Sequence, residues 1–465
     1  MKLRQFNLLA LCVALLMGIT ACKNGEDALL DTIPANFKVV ATVKAKALMD
    51  QCGVSISDGN VKIDDAVSSM FSTDMQRVLN TFAKIDASGA ADLDQIVLCM
   101  DNANTAFVTF NVNNFDDLKT AIGSDVPWVE TGGYQLGSIP EAKLVLAVKD
   151  GQAWLTNAKE PAKSIDAMLA AAKESSIGKL DGLTQALTAD KIINLATPVE
   201  MVEGNATSEA AQQAAWAVAS ATAQDDELSF DWVCMKGDGE EFQAKGLQPI
   251  NPAVLAYVPS SATIAVGAGL TSEFPWAELL AIFTATADFQ TQAMISVATP
   301  FLRSIDGTVI LAASPANAEA YSDPEPGNWN FLLMAHMPQE SINKIMGQIR
   351  TMMFAAGMSV ADEGASVIVV PQYGMNLHIG NVDGYFAVSN APFSPNNNNS
   401  LAPNFVNAYA AATVAIPDLS ELFPQAPACG FVLNTSMGES KGKGSLKMPG
   451  AKGKILVNIL ALLND

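Results

Sequence analysis

The chain has 465 residues, of which 49% are hydrophobic and only 16% are charged, against about 25% charged residues in an average soluble protein. This composition excludes a wholly disordered chain, because enough apolar side chains are present to form a core. The formal charge of −21 argues against nucleic-acid binding, since the protein would repel phosphate. Two histidines far apart, His336 and His378, argue against a histidine-rich metal site or a histidine relay. We therefore expect neither a metal nor a cofactor.

The N-terminus has the features of an export signal. Lys2 and Arg4 precede the apolar stretch Phe6 to Ile19, which has the length of a signal-peptide core and is too short to span a membrane as a helix. The stretch runs into Ile19-Thr20-Ala21-Cys22, which resembles the lipobox of bacterial lipoproteins. This resemblance implies removal of signal residues 1–21 and lipidation of Cys22, with residues 22–30 as a polar tether. An ordinary signal peptide with an incidental cysteine is the alternative.

The residues after Cys22 bear on where the lipid anchor would be placed. Lys23, and not an aspartate, follows the cysteine, which by resemblance to the lipoprotein sorting rule of many Gram-negative bacteria favours the outer membrane. The acidic pair Glu26-Asp27 faintly resembles a surface-export signal, but it begins late and is short. We expect an outer-membrane lipoprotein, with the periplasmic and the outward face both open.

Four cysteines remain after the signal and the lipidation site: Cys52, Cys99, Cys234 and Cys429. Their spacing contains no Cys-x-x-Cys motif. An exported protein can form disulfides, and four cysteines allow three pairings. Buried free thiols are the simpler interpretation, and the pairing stays open.

The two halves of the chain contain the same kinds of segment in the same order, which suggests a duplication. Each half opens with an expected strand that begins near a proline. The strand is Ile33 to Ala41 in the first half and Val258 to Val266 in the second. An expected helix follows it. Next come two strands and a short amphipathic helix. The expected helices are Asp64 to Ile85 and Pro275 to Phe301, and the expected strand pairs are Gln95 to Met100 with Asn104 to Val112, and Thr308 to Ala313 with Asn328 to Met337.

An Asp-Gly hairpin is the clearest repeated feature. Asp150-Gly151 separates two apolar runs in the first half, and Asp383-Gly384 separates two in the second. A two-residue turn of this kind needs positive φ angles, which favours glycine. Each half is also expected to close with a hairpin. Leu228 to Met235 leads into a turn at Lys236 to Gly239, and Phe431 to Met437 leads into a turn at Gly438 to Gly444.

These segments predict an α+β fold with two tandem copies of a mostly antiparallel sheet and helices packed on one face. We expect the first repeat at residues 31–250 and the second at residues 251–465. The alanine-rich segment Thr207 to Ala223 is helix-prone but has polar flanks, so we expect a mobile excursion there. With its lipobox, Asp-Gly hairpins and doubled layout, the chain resembles a family of uncharacterised cell-envelope lipoproteins of Bacteroides-type bacteria. The resemblance implies an outer-membrane location and no catalytic residue.

Motifs that could carry chemistry are weak. Ser176 with Lys179 and Ser341 with Lys344 both fit the Ser-x-x-Lys pattern of penicillin-recognising enzymes, but the partner motifs of those enzymes are absent. Acidic pairs are frequent, and one pair across a cleft could serve a glycosidase-like hydrolase. Most such pairs lie at expected helix starts or turns, where they cap backbone amides. These pairs are Asp64-Asp65, Asp92 with Asp94, Asp116-Asp117, Asp225-Asp226-Glu227 and Glu240-Glu241.

Two tryptophans beside Pro or Gly, Trp128 and Trp329, are the best candidates for contact with a ligand. The expected function is a non-catalytic binding or structural role at the cell envelope, with a glycan, peptide or protein partner, a lipid anchor in the membrane and no nucleic acid. The alternative is a hydrolase that uses a carboxylate pair.

Overall fold

The computed structural model describes residues 26–464, apart from 125, 140–142, 199–213, 238, 244, 287, 318–319, 322–325, 364–366, 373–374, 396–400 and 422–427. The expected signal peptide 1–21 and Cys22 therefore lie outside the described residues. The chain divides into two compact units: unit 1, up to residue 242 together with 452–465, and unit 2, residues 243–451. Within the described ranges, no helix combines the length and the apolar character needed to cross a membrane.

Unit 1 contains twelve strands in its described residues, and ten of them form an antiparallel sheet. Its strands are β1 (Val39–Lys44), β2 (Val54–Ser57), β3 (Asn60–Ile63), β4 (Ala91–Met100), β5 (Ala106–Val112), β6 (Trp128–Thr131), β7 (Tyr134–Ile139), β8 (Leu144–Lys149), β9 (Gln152–Thr156), β10 (Ile193–Pro198), β11 (Ala214–Ala223) and β12 (Glu227–Lys236). The pairings give the order β12-β11-β10-β1-β4-β5-β9-β8-β7-β6, and β2 with β3 forms a separate hairpin. The expected antiparallel α+β class is confirmed.

Helices cover both faces of this sheet, and not one face as expected. They are α1 (Glu26–Leu30), α2 (Ala45–Gln51), α3 (Asp65–Ser68), α4 (Thr73–Ser88), α5 (Phe115–Ile122), α6 (Pro161–Glu174) and α7 (Asp181–Leu187). Along β1, Val40 is buried in a cluster with residues of α1, α6 and α7, while its neighbour Ala41 is buried in a cluster with residues of α2, α4 and α5. The physical reason is that strands apolar at successive positions need cover on both sides.

Unit 2 also contains antiparallel strands, eleven in its described residues. Its strands are β13 (Leu247–Gln248), β14 (Ile264–Leu270), β15 (Gly307–Pro315), β16 (Trp329–His336), β17 (Ala361–Glu363), β18 (Val367–Gln372), β19 (Met375–Val382), β20 (Tyr385–Ser389), β21 (Ala410–Ile416), β22 (Phe431–Met437) and β23 (Lys441–Lys447). The order is β23-β22-β21-β14-β15-β16-β20-β19-β18-β17, with the short β13 paired to the end of β14.

The helices of unit 2 are α8 (Trp276–Thr286), α9 (Phe289–Leu302), α10 (Gln339–Ala355) and α11 (Ala402–Phe405). Phe405 of α11 is fully buried against one face of the sheet, in a cluster with Ala265 and Leu332. Ile342 and Ile345 of α10 pack on the opposite face.

Both expected Asp-Gly hairpins are confirmed. β8 and β9 meet at Asp150-Gly151, and β19 and β20 meet at Asp383-Gly384. The turn residues all have positive φ, +51° and +78° in the first turn and +49° and +83° in the second. This backbone twist matches the twist of the flanking strands, so the local sequence is sufficient to fix the register.

The ends of the two units differ from the expected segments. Residues 26–30, expected to belong to a tether, form α1, and Leu29 and Leu30 are buried in the unit 1 core because they are apolar on one side of a helical turn. The last helix, α12 (Ile455–Asn464), belongs to unit 1 and not to the second half. Val457 of α12 is buried in the unit 1 core, and Lys454 Nζ lies 2.6 Å from Asp50 Oδ1.

The alanine-rich segment is the other correction. Residues 214–223 form strand β11, paired with β10 and β12, and Trp216 is buried within it. The expected excursion was wrong because burial between two strands overrides the helix propensity of alanine. In consequence, Leu228 to Met235 lies in β12, whose hairpin partner β11 precedes it in the chain.

The turn geometry predicts opposite effects for two glycine substitutions in unit 2. Gly384→Ala is expected to lower the unfolding free energy by about 1 kcal/mol, because alanine resists the positive φ of the turn. Gly347→Ala is expected to raise it by about 0.5–1 kcal/mol, because Gly347 lies inside α10 with nothing within 4 Å of an added Cβ. Urea denaturation of both variants measures the two changes, and equal signs would contradict the turn assignment.

Candidate functional site

Unit 1 contains a cavity of about 570 Å³ that is lined largely by charged and hydroxyl side chains. Three lysines, two aspartates, a serine and a threonine share it, together with small and apolar residues of α6. The polar lining residues are Asp31, Thr32, Lys149, Asp166, Lys173, Ser176 and Lys179. They come from four separate parts of the sequence, and no single motif joins them.

Helix α6 forms one wall of the cavity. Pro161 starts this helix at a position where proline is favoured, and Ile165 and Met168 are buried in the unit 1 core. Asp166 and Lys173 lie on the side of α6 that faces the cavity, at a spacing of two helical turns. The amphipathic pattern of the helix therefore places one apolar side on the sheet and one polar side along the cavity.

Tyr134 of β7 links Asp166 of α6 with Lys149 of β8. The Tyr134 hydroxyl donates a hydrogen bond of 2.8 Å to Asp166 Oδ1. Lys149 Nζ lies 4.5 Å from the centre of the Tyr134 ring, a cation–π distance. Burial, followed by the bond to Asp166, raises the pKa of Tyr134 well above its usual value. Tyr134 therefore stays protonated and holds the Asp166 carboxylate in place.

The end of α6 binds one of the three lysines. Lys179 Nζ donates hydrogen bonds to the carbonyl oxygens of Lys173 at 2.8 Å and Ala172 at 3.5 Å. A cation at this position stabilises the last, unpaired carbonyls of a helix. Lys149 and Lys173, in contrast, form no ion pair with any described residue. Two ammonium groups of the cavity are thus not neutralised by a protein carboxylate.

Ser176 is the most unusual polar group of the cavity. Its residue is fully buried, and its Oγ has no hydrogen-bond partner among the described residues. Leaving a buried hydroxyl without a partner costs about 1–3 kcal/mol. Its backbone is fixed, because Ile177 N donates to Ile33 O at 2.9 Å and Ala35 N donates to Ser175 O at 3.1 Å. The backbone at Ser176 is therefore fixed, and its hydroxyl is closed off even from the cavity that the residue borders.

The structure brings Ser176 and Lys179 of the Ser-x-x-Lys pattern to the same cavity. They do not form a nucleophile with its base, because Lys179 binds carbonyl oxygens and Ser176 Oγ accepts no hydrogen bond from it. The second match, Ser341 with Lys344, lies near the start of α10. Neither pair has the arrangement that activates a serine.

Neither tryptophan expected to contact a ligand lines the cavity. Trp128 packs edge-on against Phe115 at 5.0 Å and over Gly137. Trp329 packs against Tyr321 at 5.4 Å, and its Nε1 donates to Ala320 O at 3.1 Å. Both rings are half-buried, so each already has a packing role, and their contact with a ligand stays a prediction.

Most acidic pairs lie where they cap helices or form ion pairs. Asp64 Oδ1 accepts a hydrogen bond from Ala66 N at the start of α3, and Asp116 and Asp117 begin α5. Glu240 pairs with Lys236 at 3.0 Å. These positions fit the capping interpretation.

The pair Asp92 and Asp94 differs from the others. It lies in β4 beside an irregularity of the strand pairing, and Asp92 Oδ1 accepts a hydrogen bond from Asp94 N. Burial, and next the charge of Asp94, raises the pKa of Asp92 to about 6. Burial also raises the pKa of Asp94, against the opposing effect of Lys46. A raised carboxyl pKa is a feature of general acids, but this pair is not part of the cavity lining.

The raised pKa of Asp92 predicts a pH effect on stability. The native state binds this proton more tightly than the unfolded chain, where aspartate titrates near pH 4. The charged form is thus unfavourable in the native state, and the penalty disappears as the pH falls through about 6. After allowance for solvent screening, Asp92→Asn is expected to be more stable than the natural chain by roughly 1 kcal/mol at pH 7, with the difference closing below about pH 5.

Chemical denaturation between about pH 4.5 and 7.5 measures this difference. Asp225→Asn, at the exposed turn between β11 and β12, is the matched control and should show no such pH dependence. A pH-independent difference for Asp92→Asn would contradict the assignment of the raised pKa.

Three of the four remaining cysteines, Cys52, Cys99 and Cys429, are buried free thiols, and Cys234 is a half-buried free thiol. Burial raises the pKa of Cys52 to about 12, so this thiol is unreactive at neutral pH. The buried-thiol interpretation is confirmed for these three. Among the described residues, no three His, Cys, Asp or Glu side chains are grouped so that they could hold a metal ion.

Comparison with known proteins gives no family. No protein-family model matches the chain, and no curated protein matches it. Crystal form III of TP0453 is similar with a TM-score of 0.30 and 8% identity, over 45% of this chain and 79% of that chain. Crystal form I of TP0453 gives a TM-score of 0.29 and 5% identity, over 45% and 78%. At these TM-scores the similarity carries no argument about function.

Proposed function

We propose that this protein is a lipid-anchored, non-catalytic binding protein of the bacterial outer membrane, and that unit 1 binds a polar ligand such as a glycan in its cavity. The observation that carries the proposal is the cavity of about 570 Å³, in which Lys149 and Lys173 form no ion pair with any described residue. Pockets with a few fixed polar groups are the usual form of a small-ligand site. The lipobox at Cys22 supports the anchor, and the resemblance to Bacteroides-type envelope lipoproteins agrees with it.

The proposal includes a duplication: unit 1 and unit 2 are two copies of one ancestral unit. When the ten strands of each sheet are numbered from β1 and from β14 in chain order, with the β2–β3 hairpin and β13 left out, both sheets have the order 10-9-8-1-2-3-7-6-5-4. A shared order of ten strands supports common origin, because many other antiparallel orders would satisfy the same pairing rules.

Register supports the duplication more strongly than strand order. In unit 1 the residues that lie side by side across five strands are Val40, Cys99, Phe107, Thr156 and Val145. In unit 2 the corresponding row is Ala265, Ala312, Leu332, Ser389 and His378. In each row, the residue on the seventh strand, Thr156 or Ser389, lies five residues after the glycine of the Asp-Gly turn. A chance resemblance would not be expected to preserve register at this level.

Equivalent hydrogen bonds add to this support. Asn157 Oδ1 accepts from Ala106 N at 3.0 Å, and Asn390 Oδ1 accepts from Phe331 N at 2.9 Å. Each asparagine directly follows the seventh strand and binds the amide one residue before the row just described. The prolines Pro34 and Pro259 each lie five residues before the first residue of the opening strand, as a shared strand start requires.

The duplication implies that the cavity position is filled in unit 2. Counting from the two prolines, Thr32 corresponds to Tyr257, and counting from the two turns, Lys149 corresponds to Val382. Tyr257 and Val382 pack together in the unit 2 core, and the Tyr257 hydroxyl donates to Asp383 Oδ2 at 2.5 Å. An aromatic side chain thus occupies the position that a threonine leaves open in unit 1.

The anchor is tested with Cys22→Ala. The natural chain is expected to partition with membranes and to need detergent for extraction, because acyl chains hold it there. Cys22→Ala is expected to be lost from the membrane fraction. Cys12→Ala, in the apolar part of the signal, is the matched control and should still be lipidated. If the Cys22→Ala chain still partitions with carbonate-washed membranes, the proposed lipid anchor at Cys22 is wrong.

The binding role is tested with the chain of residues 23–465 on a panel of glycans and envelope proteins. Saturable binding is expected, and Thr32→Tyr, which brings in the unit 2 residue, should weaken it at least tenfold by filling the cavity. Binding that persists in Thr32→Tyr and is lost in Trp128→Ala or Trp329→Ala would move the site away from the cavity. Glycoside turnover that is lost in Asp92→Asn would favour the hydrolase instead.

A further inference from the structure

We propose that the unit 1 cavity recognises an acidic sugar, whose carboxylate lies against Lys149 and Lys173 and whose hydroxyls bind Asp31 and Thr32. The proposal rests on the binding function argued above and gives that function a ligand class. Nothing in the sequence motifs points to it, because these four side chains come from three separate segments of the chain, at residues 31–32, 149 and 173.

The charge of the cavity is the first argument. Three lysines and two aspartates line it, in a chain that has a formal charge of −21. The carboxylate of Asp166 is already bound by the Tyr134 hydroxyl. A local excess of positive charge in a strongly acidic protein favours an anionic ligand at this place and repels it elsewhere on the surface.

The state of the lysines is the second argument. Lys179 is committed to the carbonyl oxygens at the end of α6. Lys149 is held over the Tyr134 ring at 4.5 Å, which orients its ammonium without neutralising it. Neither Lys149 nor Lys173 forms an ion pair within the described part of the chain. Both retain donors for a ligand carboxylate, and charge-assisted bonds of this kind are the stronger ones.

The hydroxyl-binding groups are the third argument. Asp31 and Thr32 line the same space. The Asp31 carboxylate accepts hydrogen bonds from hydroxyl groups, and Thr32 Oγ1, which donates to Leu29 O at 2.7 Å, can also accept one. A sugar ring separates its hydroxyl groups from its carboxylate, whereas a small phosphate ion would bring its negative charge against Asp31.

Unit 2 provides the fourth argument, through the proposed duplication. Val382 replaces Lys149, and Tyr257 replaces Thr32. Residues 157–192 of unit 1 contain α6 and α7, whereas the described part of residues 390–409 in unit 2 contains only α11. Lys149, Thr32 and helix α6, which form the proposed site for an acidic sugar, are thus the features in which unit 1 differs from unit 2.

The test is isothermal titration calorimetry of residues 23–465 with four acidic sugars: glucuronate, galacturonate, N-acetylneuraminate and N-acetylmuramate. At least one is expected to bind saturably, and its neutral counterpart should bind at least tenfold more weakly. Lys149→Met and Lys173→Met should each lower the affinity at least tenfold. Asp31→Asn should lower the affinity about threefold or more without lowering the melting temperature, which separates a ligand contact from a structural role.

Lys163→Met is the matched control, since Lys163 lies on the same helix but pairs with Glu160 at 2.9 Å and is fully exposed to solvent. It should leave the affinity unchanged. Binding of glucose 6-phosphate or inorganic phosphate, with none of the four acidic sugars bound, would overturn the ligand class in favour of a phosphate. Equal binding of neutral and acidic sugars would also overturn it.

The outcomes separate this inference from the binding function on which it rests. A neutral glycan that binds the natural chain and fails to bind Thr32→Tyr would leave the cavity as a binding site and remove only the acidic-sugar inference. If no ligand is found whose binding Thr32→Tyr weakens, both the binding function and the acidic-sugar inference are wrong.

Discussion

The central strand β1 is buried on both faces, and this constraint governs the rest of unit 1. Val40 and Ala41 alternate along it, one in each of two separate apolar clusters. A sheet that is apolar on both sides cannot leave either side in water, so each connection between strands must supply cover. The connection between β1 and β4 supplies α2 and α4 for one face, and the connection between β9 and β10 supplies α6 and α7 for the other. Even α12, from the far end of the chain, contributes Val457 to this cover.

The cavity follows from the same constraint. Helix α6 needs only its Ile165 and Met168 side on the sheet, which leaves its other side free for polar residues. Those residues meet the end of β8 and the segment after α1, where Lys149 and Asp31 lie. Helix α6 covers one face of the sheet with its apolar side, and its polar side forms a wall of the cavity. Asp166 and Lys179 have structural contacts there, whereas Lys149 and Lys173 form no ion pair with any described residue and keep donors for the proposed ligand.

Local features of the sequence predicted local structure well. The Asp-Gly pairs indicated both hairpins, because their turn geometry needs only two residues. The acidic residues at helix starts were equally readable, but the strands expected to start at Pro34 and Pro259 begin five residues after these prolines. Prediction failed where a distant partner decides the structure: alanine-rich residues 214–223 become a strand only because β10 and β12 flank them. The sheet has helices on both faces, and α12 packs in unit 1. Both features depend on packing between residues far apart in the chain, which no short stretch of the sequence can reveal.

The candidate site was missed for the same reason. Ser176 and Lys179 drew attention as a catalytic pattern, whereas their shared property is the cavity that they line with Lys149, more than twenty residues earlier. Under the proposed duplication, the two units share strand order and register. They differ in the helices that cover the strands and in residues at the ends of strands. Tyr257 fills in unit 2 the position that Thr32 leaves open in unit 1. A duplicated scaffold therefore lets one copy retain a closed core at this place while the other exposes fixed charges, since each unit already satisfies its own sheet. Divergence of function then requires changes in one connection and at a few cavity positions, among them Lys149 at the end of β8, while the order of the ten strands stays the same.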